Sequence, residues 1–151
     1  MKASQLCTRE VVFTQPGQTI YHAAELMRRF DVGDVVVIEE EDGLRRPIGM
    51  VTDRDIAVRV VAQGFDPRHL DVDEVMGQDI VTVHESMSIN QVGRKMYAHG
   101  VRRTPVVDAN DNLVGIISID DLVDLLSEEL STMAGLLKRQ QRSRRQPIHR
   151  R

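Results

Sequence analysis

The chain has 151 residues, 41% of them hydrophobic, a net charge of −3, no Trp, three Phe and two Tyr. That length suits one compact domain or two small lobes sharing a core, and the core must be aliphatic, built from Val, Ile, Leu and Met. The single cysteine, Cys7, excludes an internal disulfide, and no stretch reads as a signal peptide or membrane span, so the cytoplasm is the expected location.

Charge is unevenly placed. Residues 138–151 hold seven lysines and arginines and no acid, so against a total of −3 the remainder carries −10. An acidic body is joined to a basic end.

Ser4-Gln5-Leu6-Cys7 reads as a short helical turn, and Val11–Thr14 as a strand broken by Pro16-Gly17-Gln18. Thr19 caps a helix in which Ile20, Ala23, Ala24, Met27 and Phe30 recur at three-to-four spacing. Val35–Ile38 is an unbroken β-branched run, suited to a buried strand. Glu39–Arg46 is a charged turn with Asp42-Gly43 at its tip; Ile48–Val51 is a third strand and Asp53–Ala62 a second helix. Gln63–Asp73, with Gly64 and Pro67, reads as a linker. The order then repeats: a turn at Glu74–Met76, a strand at Ile80–Val83, a helix at Ile89–His99, strands at Thr104–Val107 and Leu113–Ile117 around an Asp108–Asn112 turn, and a helix from Ile119 to Leu130. That helix can run on through Met133, Leu136 and Leu137 into the basic end. Each repeat is strand, helix, strand, strand, helix. The last two strands are joined by a short turn and pair antiparallel, which predicts a mixed α/β (α+β) fold with helices packed on the sheet.

The residues confirm the duplication. Gly49-Met50-Val51-Thr52-Asp53-Arg54-Asp55-Ile56 returns as Gly115-Ile116-Ile117-Ser118-Ile119-Asp120-Asp121-Leu122, 66 positions on. Upstream, Val12, Ile20, Met27, Val32 and Val37 return as Val81, Ile89, Met96, Val101 and Val106, 69 positions on. The three-residue difference is Arg45-Arg46-Pro47, which the first repeat carries in addition. Loops absorb insertions and packed elements do not, so a surface turn is expected there. A repeat of this size is one folding unit used twice, its apolar face buried against its twin.

The paired glycine-apolar-apolar-hydroxyl-x-x-aspartate motif resembles that of tandem CBS domains, named after cystathionine β-synthase. So do the strand order and the segment Val101-Arg102-Arg103-Thr104-Pro105-Val106-Val107. The likeness covers about residues 4–130 and divides the chain into repeat one (4–63), a linker (64–73), repeat two (74–134) and a basic C-terminal tail (135–151). The resemblance implies a pseudo-twofold pair, association as a homodimer, and clefts between repeats that take adenosine compounds such as AMP, ADP, ATP, NAD(H) or S-adenosylmethionine. It implies no catalysis and no cofactor apart from such a ligand.

The motif suits that chemistry. A carboxylate can accept hydrogen bonds from both ribose hydroxyls, and charge-assisted bonds are the stronger kind. A Thr or Ser at a helix start can donate to a phosphate where free N–H groups and the helix dipole favour an anion. The glycine permits close backbone approach. Thr52 with Asp55, and Ser118 with Asp121, fit these roles. The same spacing is also a capping box, worth roughly 1 kcal/mol per helix with no ligand at all, and one carboxylate is not expected to serve ribose and cap together. The two clefts should differ. Repeat two offers Arg102 and Arg103 as phosphate contacts, whereas the aligned Gly33 and Asp34 of repeat one offer none, and Asp34 would repel a phosphate unless paired. The Ser118/Asp121 cleft is therefore the expected site, with Arg54 a further candidate contact.

Other patterns carry less. Asp108-Ala109-Asn110-Asp111-Asn112 lacks the glycine of a calcium loop at Leu113 and reads as a hairpin turn. The five histidines have no metal-ligand spacing. Cys7 suits a small apolar role. No residue set supplies nucleophile, base and oxyanion site together. The chain thus reads as a cytosolic adenosine-nucleotide sensor signalling to an unidentified protein partner, without membrane insertion. The alternatives are a ligand-free dimeric interaction module, or a nucleic-acid-associated protein acting through residues 138–151.

Overall fold

A computed structural model describes residues 1–144. Along the chain these form α1 (Ala3–Leu6), β1 (Phe13–Thr14), α2 (Ile20–Phe30), β2 (Asp34–Glu41), β3 (Leu44–Thr52), α3 (Asp53–Asp55), α4 (Val72–Val75), β4 (Val83–His84), α5 (Ile89–His99), β5 (Arg103–Val107), β6 (Leu113–Ser118) and α6 (Ile119–Arg144). The expected second helix is a single α-turn, α3, continued by a π-helix at Ile56–Val61. Two three-stranded sheets result, β1-β2-β3 and β4-β5-β6. In each the first pair is parallel and the second antiparallel. The mixed α/β architecture is the one the repeats predict.

Both repeats share the same irregularity. The ladder slips between Val37 and Ile38 in one sheet and between Val106 and Val107 in the other, 69 positions apart. Thr19 caps α2 by accepting from the His22 N–H at 3.1 Å; Ser88 caps α5 through Gln91. Val35 and Val37 face one core, while Val36 and Ile38 are buried on the opposite side of β2, which accounts for the unbroken valine run.

The insertion is not absorbed by a loop. Arg45-Arg46-Pro47 lies within β3, which pairs with a correspondingly lengthened β2: Ile38 opposite Pro47, Glu39 opposite Arg46, Glu40 opposite Arg45. Opposite charges across the ladder and a two-residue turn let the hairpin grow outward instead. Asp42 and Gly43 both have positive φ, 51° and 77°, the requirement of the tight hairpin turn that matches strand twist. The extended arm reaches the second repeat, where the Arg45 N–H donates to Asn112 Oδ1 at 2.9 Å.

The packed units do not coincide with the sequence repeats, because the two short N-terminal helices are exchanged. The core around β1–β3 holds Ile20, Ala23, Met27, Val35, Val37, Val51 and Val60, and is completed by Val72 and Val75 of α4. The core around β4–β6 holds Val83, Val92, Met96, Val106, Ile117 and Leu122, and is completed by Ala3 of α1 with Leu6 and Cys7. Matching hydrogen bonds fix the exchange: Ala3 N–H to Met87 O and Val72 N–H to Gln18 O, Ile20 N–H to Leu70 O and Ile89 N–H to Met1 O.

The motif glycines belong to this exchange. A Cβ on Gly115 would lie 2.6 Å from Cys7 Sγ and 3.0 Å from Thr8 O, and one on Gly49 would collide with Met76. Cys7 and Met76 are themselves 69 positions apart. The close approach that requires glycine is therefore the partner repeat's turn, not a ligand. Among the described residues no helix is long and apolar enough to cross a membrane.

Candidate functional site

Thr52 ends β3 and Ser118 ends β6, so each motif turns a strand into a helix at the same place. The turn is closed alike in both. The Asp53 N–H donates to Gly33 O at 2.9 Å and the Ile119 N–H to Arg102 O at 2.8 Å.

Both aspartates fold back onto their own helix starts. Thr52 N–H donates to Asp55 Oδ2 at 2.9 Å and Asp55 N–H to Thr52 Oγ1 at 3.0 Å. Ser118 N–H and its hydroxyl both donate to Asp121 Oδ2 at 2.8 Å, and Asp121 N–H donates to Ser118 Oγ at 3.2 Å. The capping function is thus present at both motifs. In each carboxylate it engages Oδ2, and among the described residues no hydrogen bond engages Oδ1.

The two repeats meet at residues that are themselves 69 positions apart. Arg103 Nη1 lies 3.3 Å from Asp34 Oδ1. The aspartate side chain is 9% exposed and the arginine 43%. The feared repulsion at Asp34 is answered by this ion pair, but the second oxygen of Asp34 is buried without a hydrogen-bond partner among the described residues. An unsatisfied buried acceptor of this kind costs about 1–3 kcal/mol.

Beside this pair a cavity of about 250 Å³ opens between the repeats, just below the roughly 300–1,000 Å³ found for ligand sites. Ser118, Asp121 and Ile116 line it from repeat two and Val12, Val32, Gly33 and Asp34 from repeat one; Arg103, Thr8, Glu10 and Asp31 complete the wall. Of the residues singled out from sequence, the structure gathers Ser118, Asp121 and Arg103 here. Thr52, Asp55, Arg54 and Arg102 lie outside this lining. The Arg102 guanidinium is 82% exposed and 3.9 Å from Asp120, a solvated surface pair.

Sequence reasoning missed Thr8, Glu10 and Asp31. Thr8 and Glu10 arrive because the chain after α1 pairs with β6, Thr8 and Ile116 exchanging two 2.9 Å hydrogen bonds, a long-range event no local pattern announces. Asp31 did leave a signal. It ends α2 in the left-handed conformation at φ 52°, where repeat two has Gly100 at φ 64°. An acid where glycine suffices places charge at the cleft rim. Next to Thr8, burial pushes the Cys7 thiol above its ordinary value, with Arg9 opposing.

The comparisons with known proteins bear on this geometry. The CBS domain family profile matches residues 3–62 and 72–128. The chain belongs to the CBS-domain family. This CBS pair is 43% identical over 123 residues to the CBS domain-containing protein YhcV of Bacillus subtilis, covering 81% of this chain and 84% of that one. Among solved structures, the CBS domain protein PAE2072 from Pyrobaculum aerophilum, complexed with AMP, superposes with a TM-score of 0.72 at 30% identity, covering 80% of this chain and 89% of that one. The CBS domain pair of MJ0100, in complex with 5′-methylthioadenosine and S-adenosyl-L-methionine, shares the fold at a TM-score of 0.74 and 22% identity, covering 85% and 98%.

Proposed function

We propose that this CBS pair is a non-catalytic regulatory module. It binds an adenosine-containing ligand in the cleft of Ser118, Asp121 and Asp34 and signals occupancy to a partner protein. The observation that supports it is the open cavity between the repeats, lined by Asp121, whose Oδ1 takes no hydrogen bond among the described residues. A carboxylate with an uncommitted oxygen at such a cavity suits a molecule rich in hydroxyl or amino donors, as a ribose is. The relatives bound to AMP or to S-adenosylmethionine support the same class. Because the cavity is built from both repeats, a bound ligand would shift their relative placement by its differential affinity for two arrangements.

Charge narrows the class. Four carboxylates line the cleft, those of Glu10, Asp31, Asp34 and Asp121, against the single guanidinium of Arg103, which Asp34 already holds. Such a wall disfavours a polyphosphate and favours a neutral or cationic nucleoside, of which S-adenosylmethionine is one. A thermal-shift panel of adenosine, S-adenosylmethionine, AMP, ATP and NADH, backed by calorimetry, tests this. Ligand at one hundred times its dissociation constant should add about 2.7 kcal/mol. Asp121→Ala should abolish that gain and Asp55→Ala leave it intact; a gain surviving in Asp121→Ala refutes the assignment.

The double capping supports a second reading, a ligand-free dimeric interaction module, since both aspartates already have partners. Under that reading no compound of the panel raises the melting temperature. The nucleic-acid reading rests on the basic segment 138–151. Its first part, to Arg144, ends α6 and is exposed; residues 145–151 lie outside the described residues.

A further inference from the structure

The last helix is longer than the fold needs. Of the 26 residues of α6 only Leu122 is buried, packed into the second core. From Leu126 to Arg144 every residue is exposed. This projecting stretch is about 28 Å long at 1.5 Å per residue. A helix of this kind has marginal stability alone and gains it from an apolar partner.

Its apolar residues mark where that partner lies. Val123, Leu126, Leu130, Met133 and Leu137 are 51–67% exposed. They follow one another at steps of three, four, three and four, the 3.5-residue spacing of a two-helix seam rather than the broader stripe of a helix laid on a globular body. Ser127 and Ala134 flank the seam and let a second helix approach closely.

Charge decides the occupant and its direction. The first eleven residues of α6 carry Asp120, Asp121, Asp124, Glu128 and Glu129 and no base; its last seven carry Lys138, Arg139, Arg142 and Arg144 and no acid. A second copy laid parallel would set acid against acid and base against base. Laid antiparallel, each acidic half meets a basic half. The same direction brings the seam into register about a point between Ser131 and Thr132, with Leu130 opposite Met133 of the second copy, Leu126 opposite its Leu137, and Val123 opposite its Gln140.

We infer that α6 is a self-association helix that pairs antiparallel with α6 of a second copy of this chain. The inference gives the proposed homodimer a specific face, and it stands whether or not the cleft binds a ligand.

Two measurements on the full chain test it. Leu130→Glu with Met133→Glu should halve the mass found by light scattering while leaving the melting profile of the core unchanged; an unaltered mass overturns the inference. Orientation is read by disulfide trapping in a Cys7→Ala background. Chains bearing Leu126→Cys and chains bearing Leu137→Cys should cross-link when mixed, and neither should cross-link alone. Cross-linking of Leu126→Cys with itself would show parallel pairing, and no cross-link in the mixture would show that the seam faces something else, an anionic membrane or nucleic acid included; either result overturns the inference. Nucleotide-induced thermal shifts should be the same in the Leu130→Glu/Met133→Glu variant as in the parent, so failure here is separable from failure of the ligand reading.

Discussion

Repeat one and repeat two build the same unit from different side chains, and one difference lies where they touch each other. The ladder slips and the backbone bonds that close the motif turns are duplicated. At the contact between repeats the copies diverge: Asp34 in one stands where Arg103 stands in the other, and the two join across the cleft at 3.3 Å. The turn residue under the motif glycine is Met76 in one case and Cys7 in the other. An interface of identical halves would have placed like charge against like. Divergence at this pair makes a symmetric contact complementary, and the acidity of the cleft comes from Glu10, Asp31 and Asp121 around it.

The largest effect should come from the buried ends of the two equivalent helices. Ile20 is fully buried, whereas its counterpart Ile89 is only partly so. Ile20→Ala is expected to cost about 3 kcal/mol in denaturant unfolding, and Ile89→Ala clearly less. Equal losses would mean that the two cores are equally closed. Next come the motif glycines. Gly115→Ala should cost about 2 kcal/mol, because the new methyl meets Cys7 Sγ and the Thr8 carbonyl. Adding Cys7→Ala should recover part of that loss, and strict additivity of the pair would show that the two groups do not touch.

A smaller change is expected at the contact between repeats. Arg103→Met leaves the Asp34 carboxylate buried without its partner, but the arginine is nearly half exposed. A loss of about 1 kcal/mol should follow, sensitive to salt; a gain in stability would show that the pair is a liability. The smallest effect is a pH dependence present in one repeat only. Burial holds the Cys7 thiol above its ordinary 9.0. The folded chain keeps that proton to higher pH than the unfolded chain does. The associated stability is therefore complete below the unfolded value and is lost as pH rises through the folded one. Between about pH 8 and about pH 10 the parent should lose slightly more stability than Cys7→Ala. Identical curves would place the thiol in water.

The elements most legible from the residues were those whose signal is local. The spacing of Ile20, Ala23 and Met27 under a Thr cap, and the bounds of α5, needed no tertiary knowledge. The π-helical turn at Ile56–Val61 left no periodic trace, since its apolar residues read equally well as α. The insertion misled because Arg45 and Arg46 look like loop residues until Glu39 and Glu40 are seen opposite them. At the site, Ser118 and Asp121 were legible from the repeat. Arg103 was legible as a base but not as a partner of Asp34, and Glu10 depended on a strand pairing made across the whole chain.

The crossing of α1 and α4 governs what happens if the chain is cut. A fragment ending after Val61 would carry the plug for a core it does not possess and lack the plug for the one it does. Two such pieces, made apart, would each expose an open apolar end and would close only on each other. The linker is thus a natural breakpoint for a split protein whose halves reassemble without added tags.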